Sequence, residues 1–99
     1  MLTEHQKKHL RGLGHQLKPV LMVGDTGLSE GVLTELEQTL EHHELIKIKV
    51  RVGDRAERDR LIETLCAKGG AELVQRIGNT ALVFRPNPDQ NRVPLPKRR

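Results

Sequence analysis

The stretch Leu17-Lys18-Pro19-Val20-Leu21-Met22-Val23-Gly24-Asp25-Thr26-Gly27-Leu28-Ser29-Glu30-Gly31-Val32 decides how this chain folds. Its first half, Leu17 to Val23, is an apolar run that reads as a strand. Pro19 stands near the start, where a missing N–H is best tolerated on a sheet edge. Because Val20-Leu21-Met22-Val23 is continuous rather than alternating, both faces of the strand are expected to be covered. The second half opens a helix, with Ser29 as N-cap and Glu30 in the first turn. Between them lies Gly24-Asp25-Thr26-Gly27. Two glycines let a backbone approach a ligand closely and take positive φ where needed. The helix behind the turn aims its unpaired N–H groups and partial positive charge the same way, which suits a phosphate. In a chain with nine glycines the Gly-x-x-Gly spacing alone is no more than chance supplies, so the surroundings must decide.

Working outward, Val32, Leu33, Leu36 and Leu40 fall at helical spacing on one face, while Glu35, Glu37 and Glu41 face water. This second helix is expected to end at His42-His43, where imidazoles suit the negative terminus. In Leu45 to Val52, Ile46, Ile48, Val50 and Val52 alternate with Lys47, Lys49 and Arg51. That period predicts a strand with one face in the core and a row of three cations on the other. Asp54 and Glu57 form a capping box for a third helix, whose apolar positions are Ala56, Leu61, Ile62, Leu65 and Cys66. Gly69-Gly70 ends it. Ala71–Ile77 and Thr80–Arg85 then pair as a hairpin around Gly78-Asn79.

Upstream, Thr3 caps a helix reaching about Gly14, with Leu2, Leu10 and Leu13 as a thin apolar stripe and Gly12 and Gly14 weakening its end. The order is αβαβαββ, an α+β or α/β arrangement whose right-handed crossovers put the second and third helices on one sheet face. From Pro86 onward the composition turns to Pro, Asn and basic residues. Residues 1–86 are therefore expected to form the domain, and residues 87–99 a flexible basic Pro-rich tail outside the core.

The chain has 99 residues, of which 30% are charged, enough for one small soluble domain. No apolar run approaches the length of a membrane span, and the N-terminus lacks a signal-peptide core. A single cysteine, Cys66, excludes an internal disulfide framework and points to a cytoplasmic protein. Net charge is +4, but it is divided unevenly. Residues 1–24 carry Lys7, Lys8, Arg11 and Lys18 against Glu4, residues 25–46 hold six acids and no Lys or Arg, and the remainder from Thr64 is basic again. Such a two-sided chain favours oriented docking on a polyanion, although a solvated surface gives the same pattern. Phe84 is the only aromatic residue besides histidine. An aromatic platform for stacking bases is therefore excluded, and any nucleic-acid contact has to work mainly through phosphates, sugars and shape.

Little else points to chemistry. Ser29 is the only serine and is explained as a cap, and Cys66 lies on an apolar helix stripe with nothing beside it to activate a thiolate. His5 and His9 are spaced for a helical metal pair but lack the Glu of His-Glu-x-x-His and any further ligands; a solvated or RNA-facing helix surface fits them better. The glycine turn is not a P-loop, because Leu28-Ser29-Glu30 follows Gly27, and it is not a dinucleotide fingerprint, because position 22 is Met. What remains is a short turn that is either structural or a clamp for a sugar–phosphate backbone, in the manner of the Gly-x-x-Gly loop of KH domains. No enzyme, metal or cofactor is expected.

Four segments together carry a resemblance. Leu17-Lys18-Pro19-Val20, Gly24-x-x-Gly27-Leu28-Ser29-Glu30-Gly31-Val32, His42-His43-Glu44-Leu45-Ile46-Lys47-Ile48-Lys49 and Ile77-Gly78-Asn79-Thr80-Ala81-Leu82-Val83-Phe84-Arg85-Pro86 resemble the YhbY family, the bacterial stand-alone form of the CRM (chloroplast RNA splicing and ribosome maturation) domain. The match runs in register over about residues 2–86. It implies αβαβαββ with three helices and a four-stranded mixed sheet, similar to the C-terminal domain of translation initiation factor 3. It further implies a non-enzymatic RNA-binding protein associated with precursors of the large ribosomal subunit. The family's RNA-contacting loop falls on Gly24, Asp25, Thr26 and Gly27, with basic residues of the first helix implicated beside it. Asp25 puts a negative charge in that loop, and Phe84 stands where relatives often carry Tyr.

The expected function is thus RNA binding in ribosome assembly, on structured rRNA of large-subunit precursors, by a cytoplasmic monomer without membrane contact. The expected contacts are Gly24, Asp25, Thr26 and Gly27 in the loop, and Lys7, Lys8, Arg11, Lys18, Lys47, Lys49 and Arg51 as cations, with Lys97-Arg98-Arg99 adding reach. The alternative is a protein-interaction module of a ribonucleoprotein particle that uses the acidic second helix.

Overall fold

The alternation after Glu44 produces the inner strand on which everything else is laid. In a computed structural model, which describes residues 2–87, 89 and 93–95, the elements are α1 (Glu4–Gly14), β1 (Pro19–Val23), α2 (Glu30–His43), β2 (Leu45–Val50), α3 (Arg55–Gly69), β3 (Glu72–Ile77) and β4 (Thr80–Phe84). The sheet runs β1-β2-β4-β3, with β1 parallel to β2 and both β2 and β3 antiparallel to β4. Three helices and a mixed four-stranded sheet in the order αβαβαββ agree with the sequence reading. The caps agree too. Thr3 and Gln6 close a capping box, Ser29 accepts from the Val32 amide at 3.2 Å and Asp54 from the Glu57 amide at 2.9 Å. Gly70 ends α3 in the left-handed conformation at φ 62°.

One face of the sheet is sealed by α2 and α3, as right-handed crossovers require. Leu36 and Leu40 from α2 and Ile62 and Leu65 from α3 close over Leu21, Val23, Ile46, Ile48, Val50, Ala81 and Val83. The two helices meet at Gly69, where an added Cβ would stand 3.0 Å from Leu36 Cδ2. Arg85, just past β4, ties both helices down, donating to Glu37, to Glu41 at 3.0 Å and to the Gly69 carbonyl at 3.1 Å.

The opposite face is covered by α1 alone. Leu10 is fully buried on Leu45, Val74, Leu82 and Phe84, whereas Leu13 of the expected stripe faces outward. Gly14 ends the helix, and it is also a packing requirement: a Cβ there would lie 2.5 Å from Leu82 Cδ2. The helix lies over β2, β3 and β4 and stops short of β1. The expectation that both faces of β1 are covered is therefore corrected, since Val20 is 49% and Met22 57% exposed. A continuous apolar run marks a strand buried on both sides only where helices are long enough to reach it.

The chain also does not leave the core at Pro86. Glu44 caps α2 with φ 63°, and its buried carboxylate accepts from the amides of Asn87 at 2.8 Å and Val93 at 3.3 Å. Asn87 Nδ2 donates to the Glu41 carbonyl at 3.0 Å, and Val93 and Leu95 pack against the Leu10–Phe84 cluster. At these positions the expected tail outside the core gives way to a segment folded back onto it, because a buried carboxylate needs donors and the returning amides supply them. Lys97-Arg98-Arg99 lie outside the described residues.

Candidate nucleic-acid interface

Where α1 stops, half of a sheet face stays open. Alternation along β2 turns Lys47 and Lys49 to this side, with Ile46, Ile48 and Val50 in the core behind them. Across the strands Met22 lies opposite Lys49, Lys49 opposite Thr80, and Thr80 opposite Ile77, which makes one lateral row. Beside that row a groove is bounded by the end of α1 and the start of β1. Arg11, His15, Lys18 and Lys47 line it together with Gln75, Ile77 and Thr80, and among the described residues no carboxylate does. Arg11 also pairs with exposed Glu4 at 3.6 Å, a surface contact of little energetic weight.

Gly24-Asp25-Thr26-Gly27 sits at the far end of β1. The turn is closed by the Gly27 amide donating to the Gly24 carbonyl at 2.9 Å, and the Ser29 amide donates to the Gly27 carbonyl at 3.1 Å. These bonds use the amides of Gly27 and Ser29 and leave those of Asp25 and Thr26 for an incoming acceptor. The two glycines are there for different reasons. Gly27 has φ 68°, which favours glycine whatever surrounds it. Gly24 has no positive φ and a Cβ there would meet nothing within 4 Å, so folding places no demand on it. Asp25 is exposed, and Ser29 rather than Asp25 caps the helix.

The other expected cations divide. Arg51 lies beyond the end of β2, exposed, with its amide donating to the Val23 carbonyl at 2.8 Å, so it belongs to the loop end rather than to a row of three. Lys8 faces outward from α1 beside His5, His9 and Leu13. Lys7 borders a separate hollow with Leu2, Glu72 and Leu95. Arg11, Lys18 and Lys47 are thus brought together, Lys49 and Arg51 extend the surface toward the loop, and Lys7 and Lys8 stand apart. Positions 7, 8 and 11 fall within about 100° of the helix circumference, so their separation comes from how α1 is seated on the sheet and not from the helical period.

The acidic surface is on the opposite side, on α2, where Glu37 and Glu41 are already paired with Arg85. Cys66 is half-buried on α3, and burial, with help from Glu72, pushes its thiol up to about 11, which makes it a poor nucleophile near neutral pH. Sequence reasoning missed Met22, Thr80 and Ile77 as surface residues of the open face. The alternation of Thr80 with Ala81 and of Ile77 with Arg76 was the available signal.

Comparison with known proteins places this geometry. A Pseudomonas aeruginosa protein named a probable RNA-binding protein is 52% identical over 91 residues, covering 92% of this chain and 88% of its own. A Haemophilus influenzae protein named an RNA-binding protein is 42% identical over 97 residues, covering 98% and 97%. The solution structure of a hypothetical Staphylococcus aureus protein superposes with a TM-score of 0.84 at 35% identity, over 97% of this chain and 100% of that one. The family model of the CRS1/YhbY (CRM) domain matches residues 2–85, the span that holds the open sheet face, the glycine turn and all seven elements. This chain is therefore a member of the CRS1/YhbY (CRM) domain family.

Proposed function

We propose that this protein binds RNA without catalysing a reaction and acts in ribosome assembly, on structured rRNA of large-subunit precursors in the cytoplasm. The observation that carries the reading is the groove in which Arg11, Lys18 and Lys47 converge with no carboxylate among its described lining residues, at one end of the strand β1 whose other end leads into the Gly24–Gly27 turn. The cation-lined groove lies on the sheet face away from the acids of α2, which favours one orientation on a polyanion. At the loop, the amides of Asp25 and Thr26 ahead of α2 can donate to a phosphate oxygen, and Thr26 offers a hydroxyl. Gly24 supports the same reading: the fold does not require glycine there, whereas close approach of a nucleic-acid backbone does. Relatives named as RNA-binding proteins support RNA as the polymer, and the ribosomal setting is what the resemblance to the YhbY family implies. The acidic-helix alternative is left with Glu30 and Glu35 of α2, since Glu37 and Glu41 are engaged by Arg85.

Gly24→Glu tests the loop. A Cβ at position 24 meets nothing within 4 Å and the φ there is not positive, so the protein should keep its unfolding midpoint while affinity for a large-subunit rRNA stem-loop falls by about tenfold or more. Gly27→Glu is the poorer probe, because its positive φ strains any side chain. Unchanged affinity of Gly24→Glu would remove the loop from the interface. Recovery of the bound RNA from cells by crosslinking checks the setting: large-subunit precursor sequences are expected, and intron RNA or none at all would overturn it.

A further inference from the structure

We infer that the open half-sheet holds an unpaired segment of the bound RNA, with Lys47 and Lys49 on its phosphates and Met22 and Ile77 against its bases. This rests on the RNA reading above and adds to it a second contact, with residues that electrostatics alone does not explain. Scattered exposed aliphatics need no account, but here they share one face: Met22 is 57%, Ile77 64% and Val20 49% exposed. They frame the cations. Across the row Met22–Lys49–Thr80–Ile77, three strand spacings separate the apolar ends by about 14 Å.

The chemistry of that row selects the occupant. A paired RNA helix shows phosphates and 2′-hydroxyls and keeps its bases stacked inside, so it offers an aliphatic side chain little. An unpaired strand exposes base faces, which a thioether and a branched methyl group contact, while its phosphates still require cations. An acid-free groove lined by Arg11, Lys18 and Lys47 lies alongside, so the surface is complementary to a polyanion rather than to a mixed-charge protein. Thr80, between Lys49 and Ile77, adds a hydroxyl that can donate or accept. Without aromatic rings this is a weak platform. It complements the loop contact and does not replace it.

Two RNA probes with equal numbers of phosphates test this on the full chain: a closed hairpin, and a shorter hairpin carrying a single-stranded extension. The wild-type protein is expected to prefer the extended probe. Met22→Thr with Ile77→Thr keeps strand propensity and removes most of the apolar surface. That double variant should weaken binding of the extended probe about fivefold more than binding of the closed hairpin. A readout without substitution is the methyl resonance of Met22, one of two methionines, which should shift upfield with the extended probe only. Equal binding of both probes with an unmoved methyl signal overturns the inference and leaves RNA binding standing. Equal weakening on both probes also overturns it, since the face then touches paired RNA. Binding of neither probe overturns the inference together with the RNA reading.

Discussion

The two faces of this sheet are built from the same strands and end in different states. On one, α2 and α3 cover every inward side chain from Leu21 to Val83, and Arg85 pins the helices to each other. On the other, α1 reaches from β3 to β2 and leaves Val20, Met22, Lys49 and Ile77 to solvent. The difference teaches where stability is held. The sealed face carries the burial that holds the fold, while the open one carries charges and apolar groups whose loss costs the folded state little.

Substitution on each side breaks or sharpens that contrast. Ile48, fully buried at the centre of the sealed face, should lose about 2–4 kcal/mol as Ile48→Ala, read from a lowered urea midpoint. Met22→Thr on the open face should stay within about 0.5 kcal/mol of wild type. Comparable losses at the two positions would end the division of labour. A smaller effect is expected where the two faces meet, at the end of α2. Glu44→Ala removes the acceptor of the Asn87 and Val93 amides and should cost about 2 kcal/mol. Hydrogen exchange at those amides should speed up, while exchange in β2 should follow only the global change.

The smallest effect concerns pH. Cys66, partly buried on α3, has its thiol raised from 9.0 to about 11, so the folded protein holds that proton more tightly than the unfolded chain does. Stability should therefore be unaffected by this group below pH 9.0 and decline as pH rises from 9.0 toward 11. In Cys66→Ala that component of the alkaline decline should vanish, and a decline of equal depth in both proteins would assign it elsewhere.

Local signals were legible because local forces make them. The alternation from Leu45, the caps at Thr3, Ser29 and Asp54, and the Gly70 terminator are settled within a few residues, and each stands where the sequence reading put it. Features that depend on the reach of another element were not. Val20-Leu21-Met22-Val23 looks the same whether or not a helix arrives to cover it, and α1 does not arrive. Gly14 looked like a weak helix end until Leu82 was seen against it. Glu44 looked like one more surface acid of α2, because the amides that hold it come from residues more than forty positions later. Of the candidate site, the turn and the cations were legible as residues. Their division into one groove, a loop end and two outliers was not, since it depends on how α1 is rotated on the sheet.

One consequence remains in the edge strand. An open β1 that shows Val20 and Met22 is a template on which a second copy could add its own strand, and such additions propagate into aggregates. Pro19 has no N–H to offer a newcomer, and the register of β1 is broken between Pro19 and Leu21, so the edge is too short and too irregular to be extended. Lys18 beside it adds repulsion between like copies. The proline that begins this strand thus acts as a guard, letting the molecule keep a sticky face uncovered without sticking to itself.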